Sequence, residues 1–317
     1  MIIDLVFQLL QMTLVIALAP GLTGLTRKVK ARLTRRRGPP LLQPYFDLAR
    51  LVRKEAIVAH SATSYFRFAP YLIFASTWVA AALVPTFATG LLFSWSADLI
   101  AIVALLGFAR FALTLAGMDV GTSFGGLGSS REAMFATLAE PAMITIVFCL
   151  ALLAGSTQLS TIAEVMTAHH VGLRVTLAMA LVALVMVALA ENGRVPIDNP
   201  ATHLELTMVH EAMILEYSGR HLALIELAAM LKLLLYVSLI VCVFVPWGLA
   251  IGDASVQARL IGAGVYAGKL GVAAVARGTF ETSIAKMRVF RVPDFLGAAL
   301  MLGLLGALLL FVSRSLR

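Results

Sequence analysis

The sequence predicts an all-α, polytopic membrane protein, and three observations carry that prediction. Of 317 residues, 60% are hydrophobic and only 13% charged, and the mean hydropathy of +0.93 is far above that of a soluble domain. The apolar residues come in runs that match the roughly 20 residues a helix needs to cross a bilayer. Runs such as LGFARFALTLAG and GAALMLGLLGALLLFV do not alternate, which argues against a β-barrel. Lipid cannot satisfy free backbone groups, so the spans must be helices. Eight fall at about 2–24, 69–92, 96–118, 132–154, 172–191, 222–247, 257–278 and 293–313. No internal repeat is visible, and the chain reads as one integral membrane domain, 1–317, with loops on one side at about 25–68, 119–131, 192–221 and 279–292.

The first span carries Asp4 and no basic leader, so it reads as a retained helix rather than a cleaved signal. The loop after it, RKVKARLTRRRGPPLLQPYFDLARLVRKE, holds a basic run that includes Arg35, Arg36 and Arg37, then a GPP turn. An amphipathic helix is predicted from about Leu41 to Ile57: Leu48, Leu51 and Val52 lie together, while Arg50, Arg53 and Lys54 can face water or anionic lipid. The loop is either an orienting charge cluster with an interfacial helix or a docking cradle for a soluble subunit, and the two are compatible. The second and third spans follow. In the next loop GGLGSSREAMFATLAEP places Glu140 nine residues after Arg131 and well inside the fourth span. An ionised carboxylate at that depth must pair, reach water or be protonated, which makes it a functional candidate; the alternative is a structural hydrogen bond to a neighbouring helix.

The fifth span runs into the acid-rich stretch ENGRVPIDNPATHLELTMVHEAMILEYSGR, with Glu191, Asp198, Glu205, Glu211 and Glu216, and Glu226 just beyond. Pro196 and Pro200 prevent a regular helix between Arg194 and Asp198, so a helix is expected to start after Pro200. On it Glu205 and Glu216, eleven residues apart, would project within about 20° of each other. Glu211 would fall in the apolar row of Leu204, Met208 and Leu215, where a charge needs a partner or a hydrated pocket. His203 and His210 share a face at a spacing that suits a proton relay better than a metal pair. The competing reading is a solvated amphipathic loop helix. Glu226 and Lys232 continue the polar series into the sixth span. In the seventh, Lys269 lies about a dozen residues from either end, too deep to snorkel, and should meet an acid such as Glu140 or Glu226. Arg277 and Glu281, four apart, are expected to pair as helix neighbours. The eighth span closes the chain.

The net charge of +8 could suggest nucleic acid, but its distribution speaks for membrane orientation instead. Of 25 Lys and Arg, 18 fall in alternate loops on one side, eleven of them from Arg27 to Arg67, and only Arg174, Arg259, Arg314 and Arg317 fall opposite. By the positive-inside rule the basic side is cytoplasmic, which places the chain in the inner membrane with both termini outside. Arg110, Lys232 and Lys269 remain within spans. Cys149 and Cys242 stand alone in apolar helices, so no iron-sulfur cluster or c-type haem is built by this chain alone. His169 and His170 are adjacent and do not face one another, and GTSFGGLGSSR follows no strand, so neither a metal site nor a phosphate loop is expected. Any redox chemistry belongs to partners.

Three motifs, in order, resemble a known family. RRRGPPLLQPYFDLARLVRKE is similar to the first loop of the membrane heel subunit of respiratory complex I, whose pattern runs close to QRRxGPN, LLQP, an Asp and KE. GGLGSSR followed by Glu140 is similar to its GSLR and fourth-helix Glu, ENGRVPIDNP with Glu205 resembles its ETNRAPFDLP and SEL segment, and the family's EYSG recurs at Glu216 to Gly219. The departures point to a branch. Pro40 leads straight into Leu41 without the family's extra NRVGPxG run, and Ala201 and His203 stand where quinone-using relatives carry acids. NPATHLELTMVHEAMILEYSGR and ETSIAKMRVFRVPDFLGAAL resemble instead the equivalent subunit of group 4 membrane-bound [NiFe]-hydrogenases, the formate hydrogenlyase and hydrogenase-4 type.

The resemblance implies a subunit with no catalytic centre or cofactor of its own, quinone not being its expected substrate. Its expected partners are soluble hydrogenase large and small subunits and iron-sulfur subunits, which carry the [NiFe] centre and clusters and pass electrons from formate or ferredoxin to protons. Antiporter-like membrane subunits are expected beside it. Arg35, Arg36, Arg37, Asp47, Arg131, Glu191, Arg194, His203, His210 and Glu216 would support and dock the soluble arm, with Arg194 holding its loop by pairing with an acid. Asp198, Glu205 and Glu211 would sense the redox step, and Glu140, Glu226, Lys232 and Lys269 would relay charge inward. Three competing readings are a quinone-binding subunit of an NADH:quinone oxidoreductase, a stand-alone cation transporter, which lacks the expected inverted repeat, and a purely structural anchor.

Overall fold

The computed structural model describes residues 2–168, 175–193, 209–252, 254–284 and 291–315, and no strand occurs among them. Its helices are α1 (Ile2–Leu33), α2 (Gln43–Val52), α3 (Ser64–Leu83), α4 (Leu99–Asp119), α5 (Ser123–Ala154), α6 (Leu159–Ala168), α7 (Val175–Glu191), α8 (His210–Ile214), α9 (Gly219–Phe244), α10 (Val256–Ser283) and α11 (Val292–Ser315). Seven of these are long and apolar enough to cross a membrane, and α7, with 17 described residues, is a shorter apolar helix. They correspond to the eight expected spans. The protein is a multi-pass, all-α membrane protein.

Several boundaries move, for physical reasons. α1 runs nine residues past its expected end, through RKVKARL, because Lys and Arg are good helix formers whose apolar stems can lie along the bundle. It stops where Arg35 turns left-handed at φ 55° and Arg36 N donates to Ala31 O at 2.7 Å. The amphipathic helix predicted over 41–57 is confined to Gln43–Val52. α3 begins at Ser64, where Thr63 Oγ1 accepts from Tyr65 N, and Asp119 at the end of α4 accepts from both Thr63 N and Thr63 Oγ1. α5 begins at Ser123, so GGLGSSR is helix rather than the expected loop. Its glycines serve a close crossing with α4: a Cβ on Gly125 would lie 2.2 Å from Gly117 O. The short α6, near the opposite end of the bundle, was not expected.

α9 is the axis of the bundle. It packs on α1, α2, α3, α6, α7 and α10, and 61% of its most apolar window is buried, against 28% for α10. Leu231, Leu234 and Leu235 are fully enclosed in its core. One end of the bundle gathers the basic C-terminus of α1, the start of α9 and the end of α10, joined where Lys30 Nζ meets Glu281 Oε2 at 2.6 Å. Glu281 also takes Arg277 at 2.7 Å, the pairing their spacing predicts. At the opposite end Arg259 Nη1 pairs with Asp4 at 3.0 Å beside the Phe7 ring.

Candidate functional site

Arg110, nine residues before the end of α4, is the centre of a buried ion cluster. Its side chain is only 7% exposed and meets carboxylates from two other helices: Glu191 through Nη2, Glu140 Oε1 at 3.4 Å from Nη1, and Glu132 Oε1 at 3.7 Å from Nε. The other Glu191 oxygen lies 2.8 Å from Lys232 Nζ on α9. A planar guanidinium can be shared in this way, where an ammonium could not present three edges in fixed directions. Each lone charge at mid-bilayer would cost about 2.5–3.5 kcal/mol on insertion scales. Grouped, they offset much of that cost for one another. Among the described residues the cluster sets three carboxylates against two cations.

Beside the cluster lies a cavity of about 400 Å³. Arg110, Glu132, Glu191, Glu226 and Lys232 line it, with Arg27, Lys30, His210 and Glu211, against apolar walls that include Ile73, Leu106, Phe135 and Ile225. Such a volume holds on the order of ten waters. Charged walls around that much water are a place where protons can move between acids. Gly193 and Val209, on either side of residues 194–208, are also in its lining.

The expected site residues divide accordingly. Glu140 and Lys232 are in the cluster, and Glu226, Glu211 and His210 line the cavity. Arg194, Asp198, His203 and Glu205 lie outside the described residues. Arg35, Arg36 and Arg37 are exposed beyond α1, Arg131 is half-buried on α5, and Asp47 pairs with Arg50 and accepts from Gln43 Nε2 at 3.0 Å. Glu191, expected to support and dock the soluble arm, has a 4% exposed side chain and binds both cations of the cluster. Two expectations are corrected. Lys269 does not meet Glu140 or Glu226: its Nζ donates to Val245 O, at the end of α9, at 2.6 Å. A helix carrying Glu205 and Glu216 on one face does not reach Glu216, because α8 stops at Ile214 and Glu216 is exposed in the turn after it.

Arg110 and Glu132 were missed. Arg110 stands in the sequence as a lone cation in a span, a signal that it needs acidic partners on other helices. Glu132 is the first residue of the expected fourth span, whereas α5 begins nine residues earlier and carries it inward.

The EYSG segment has its own geometry. Tyr217 stacks on Phe66 with centroids 3.9 Å apart and donates to Phe66 O at 3.1 Å, and burial pushes its phenol well above the ordinary value, so it stays a neutral donor. Ser218 Oγ accepts from Ile57 N at 2.8 Å and donates to Ile57 O at 2.9 Å. Gly219, at φ 52°, has Glu55 O 2.3 Å from where a Cβ would stand. Together they clasp the chain after α2 to the start of α9.

A helical membrane subunit, built round a buried charge cluster, is the class of protein that this fold and site define. The chain belongs to the NADH dehydrogenase family, whose profile matches residues 5–312. It is 35% identical over 245 residues to hydrogenase-4 component C of Escherichia coli (strain K12), covering 77% of this chain and 76% of that one. To formate hydrogenlyase subunit 4 of the same organism it is 31% identical over 283 residues, covering 89% and 91%. NADH-quinone oxidoreductase subunit 8 of Rhodothermus marinus is 30% identical over 233 residues, covering 69% of this chain and 64% of that one. These likenesses put the chain in the group 4 hydrogenase branch of the family. A chain in the structure of the membrane-bound sulfane sulfur reductase, an archaeal respiratory membrane complex, shares the fold with a TM-score of 0.81 at 18% identity, covering 97% of this chain and 99% of that one.

Proposed function

We propose that this chain is the membrane anchor and charge-coupling subunit of a membrane-bound [NiFe]-hydrogenase complex that passes electrons from formate or ferredoxin to protons to make H2. The observation that carries the reading is the Arg110 cluster beside its cavity, in a chain whose relatives include hydrogenase-4 component C and formate hydrogenlyase subunit 4. The [NiFe] centre and iron-sulfur clusters belong to soluble partners. Cys149 and Cys242 are buried and separate, and no group of three or more metal-ligating side chains occurs among the described residues. What this chain contributes is charge. Glu226, Glu211 and His210 exchange protons with cavity water. Glu191 holds Arg110 and Lys232 while ionised; when it takes a proton it releases both, and Arg110 moves its pairing toward Glu140. That displacement carries charge from the cavity side of the cluster to α5, and from there toward antiporter-like membrane subunits. Asp198 and Glu205 would sense the redox step upstream, with Arg194 holding their loop. Lys269 donates to a carbonyl, which supports leaving it out of the path.

The basic end, taken as cytoplasmic by the positive-inside rule, docks the soluble arm through Arg35, Arg36, Arg37 and the exposed face of α2 with Phe46, Val52 and Arg53; both termini then lie outside. Quinone reduction is the second reading, because a cavity of about 400 Å³ lies within the range of small-molecule sites; its charged lining counts against an apolar ring. Purification of the complex in mild detergent through a tag on this chain separates the two. Nickel and iron with hydrogen evolution support the proposal. Flavin with quinone-dependent activity would sink it.

A further inference from the structure

Glu140 combines two properties that conflict in a bilayer. Its carboxylate is 3.4 Å from Arg110 Nη1, yet 45% of its side chain is exposed. It stands seventeen residues from the start of α5 and fourteen from its end, about 21 Å or more from either, so the exposure lies within the span. The opening lies between α4 and α5. Gly107 puts no side chain over it, a Cβ there coming only to 3.5 Å from Glu140 Oε1. On one side run Ala104, Phe108 and Phe111, and on the other Thr137, Pro141 and Ile144, all exposed. The rows repeat at three and four residues, the spacing of a surface that receives another helix, and the small residues allow close approach. Hydrocarbon laid in this groove would face a carboxylate, and lipid-exposed irregular backbone is excluded at that depth. Among the described residues the cluster also sets three carboxyl groups, those of Glu132, Glu140 and Glu191, against two cations, Arg110 and Lys232.

We propose that this notch seats a transmembrane helix of a second membrane subunit and that the helix brings a lysine or arginine to Glu140. The inference rests on the reading of the chain as a charge-coupling subunit and names its partner's chemistry. The incoming cation completes the neutralisation of the cluster and gives Glu140 a second partner, so that charge released by Arg110 crosses the subunit boundary.

The test uses the intact complex in native membranes. Photo-reactive benzoylphenylalanine introduced at Phe111, with the same residue at Leu308 on α11 as control, is crosslinked and the captured segment is sequenced. The expected product is a transmembrane segment with a basic residue within one helical turn of the crosslink, absent from the Leu308 control. Dicyclohexylcarbodiimide, which attacks lipid-accessible protonated carboxyls, is then expected to label Glu140 at least tenfold more when that basic residue is changed to Met, with Glu140→Gln as the blank. Full labelling of Glu140 in the unaltered complex, a captured segment without a basic residue, or no rise on neutralising it overturns the proposal. Nickel content of the same preparation is a separate readout. A basic helix at Glu140 in a nickel-free complex keeps this inference and removes the hydrogenase reading, and nickel with a lipid-facing Glu140 does the reverse.

Discussion

The two lysines described in the membrane region stand by different faces of α9 and are held in different ways. Lys232 points with Tyr236, one turn on, toward the Arg110 cluster and ends 2.8 Å from a Glu191 oxygen. Around the helix, Ser238 and Val245 turn toward α10, where Ser238 Oγ is 2.6 Å from the Tyr266 hydroxyl and Lys269 donates to Val245 O. A carboxylate can gain or lose a proton. A backbone carbonyl cannot. The first lysine therefore sits in a pair that chemistry can break, while the second caps a helix terminus whose partial negative charge it complements. A lysine deep in a span is a candidate for charge transfer only when its partner can titrate.

The largest effect expected from breaking this contrast is at Glu191. Glu191→Ala leaves Arg110 and Lys232 without their shared acceptor, and removing one member of a buried pair costs about 3–5 kcal/mol. The thermal midpoint of the purified complex should fall sharply, and a cycle combining Glu191→Ala with Lys232→Ala should show strong coupling, whereas combining it with Lys269→Ala should be additive. Next is the clasp that sets where α9 begins. Gly219→Ala places a Cβ on the Glu55 carbonyl at a left-handed φ, a cost of about 1–3 kcal/mol; proteolysis between α2 and α3 should speed up, with the α9–α10 side unaffected. The smallest change is Tyr266→Phe, which removes one buried hydrogen bond worth about 1 kcal/mol. A modest drop in thermal midpoint with unchanged hydrogen evolution is the expected result, and lost activity would mean that this face of α9 also carries charge.

What was legible in the sequence follows from what a sequence encodes. Long apolar runs fix the existence of spans, because the bilayer demands them, and single charges such as Glu140 and Lys232 stand out against that background. Spacing within one helix predicted the Arg277–Glu281 pair. Spacing says nothing across helices, so Lys30 was not foreseen as the second partner of Glu281, nor Val245 O as the partner of Lys269. Helix ends were the other weak point. Glycines in GGLGSSR read as a loop, although they are there to let α5 approach α4, and the misplaced start hid Glu132 from view. Arg110 needed three acids from two other helices before its role was visible.

The most direct test compares Lys232→Met with Lys269→Met in the complex reconstituted into proteoliposomes, measuring membrane potential formed per H2 evolved. Lys232→Met is expected to abolish charge movement, while Lys269→Met leaves the ratio unchanged and lowers only stability. A normal ratio in Lys232→Met, or its loss in Lys269→Met from a complex that still evolves hydrogen, would contradict it.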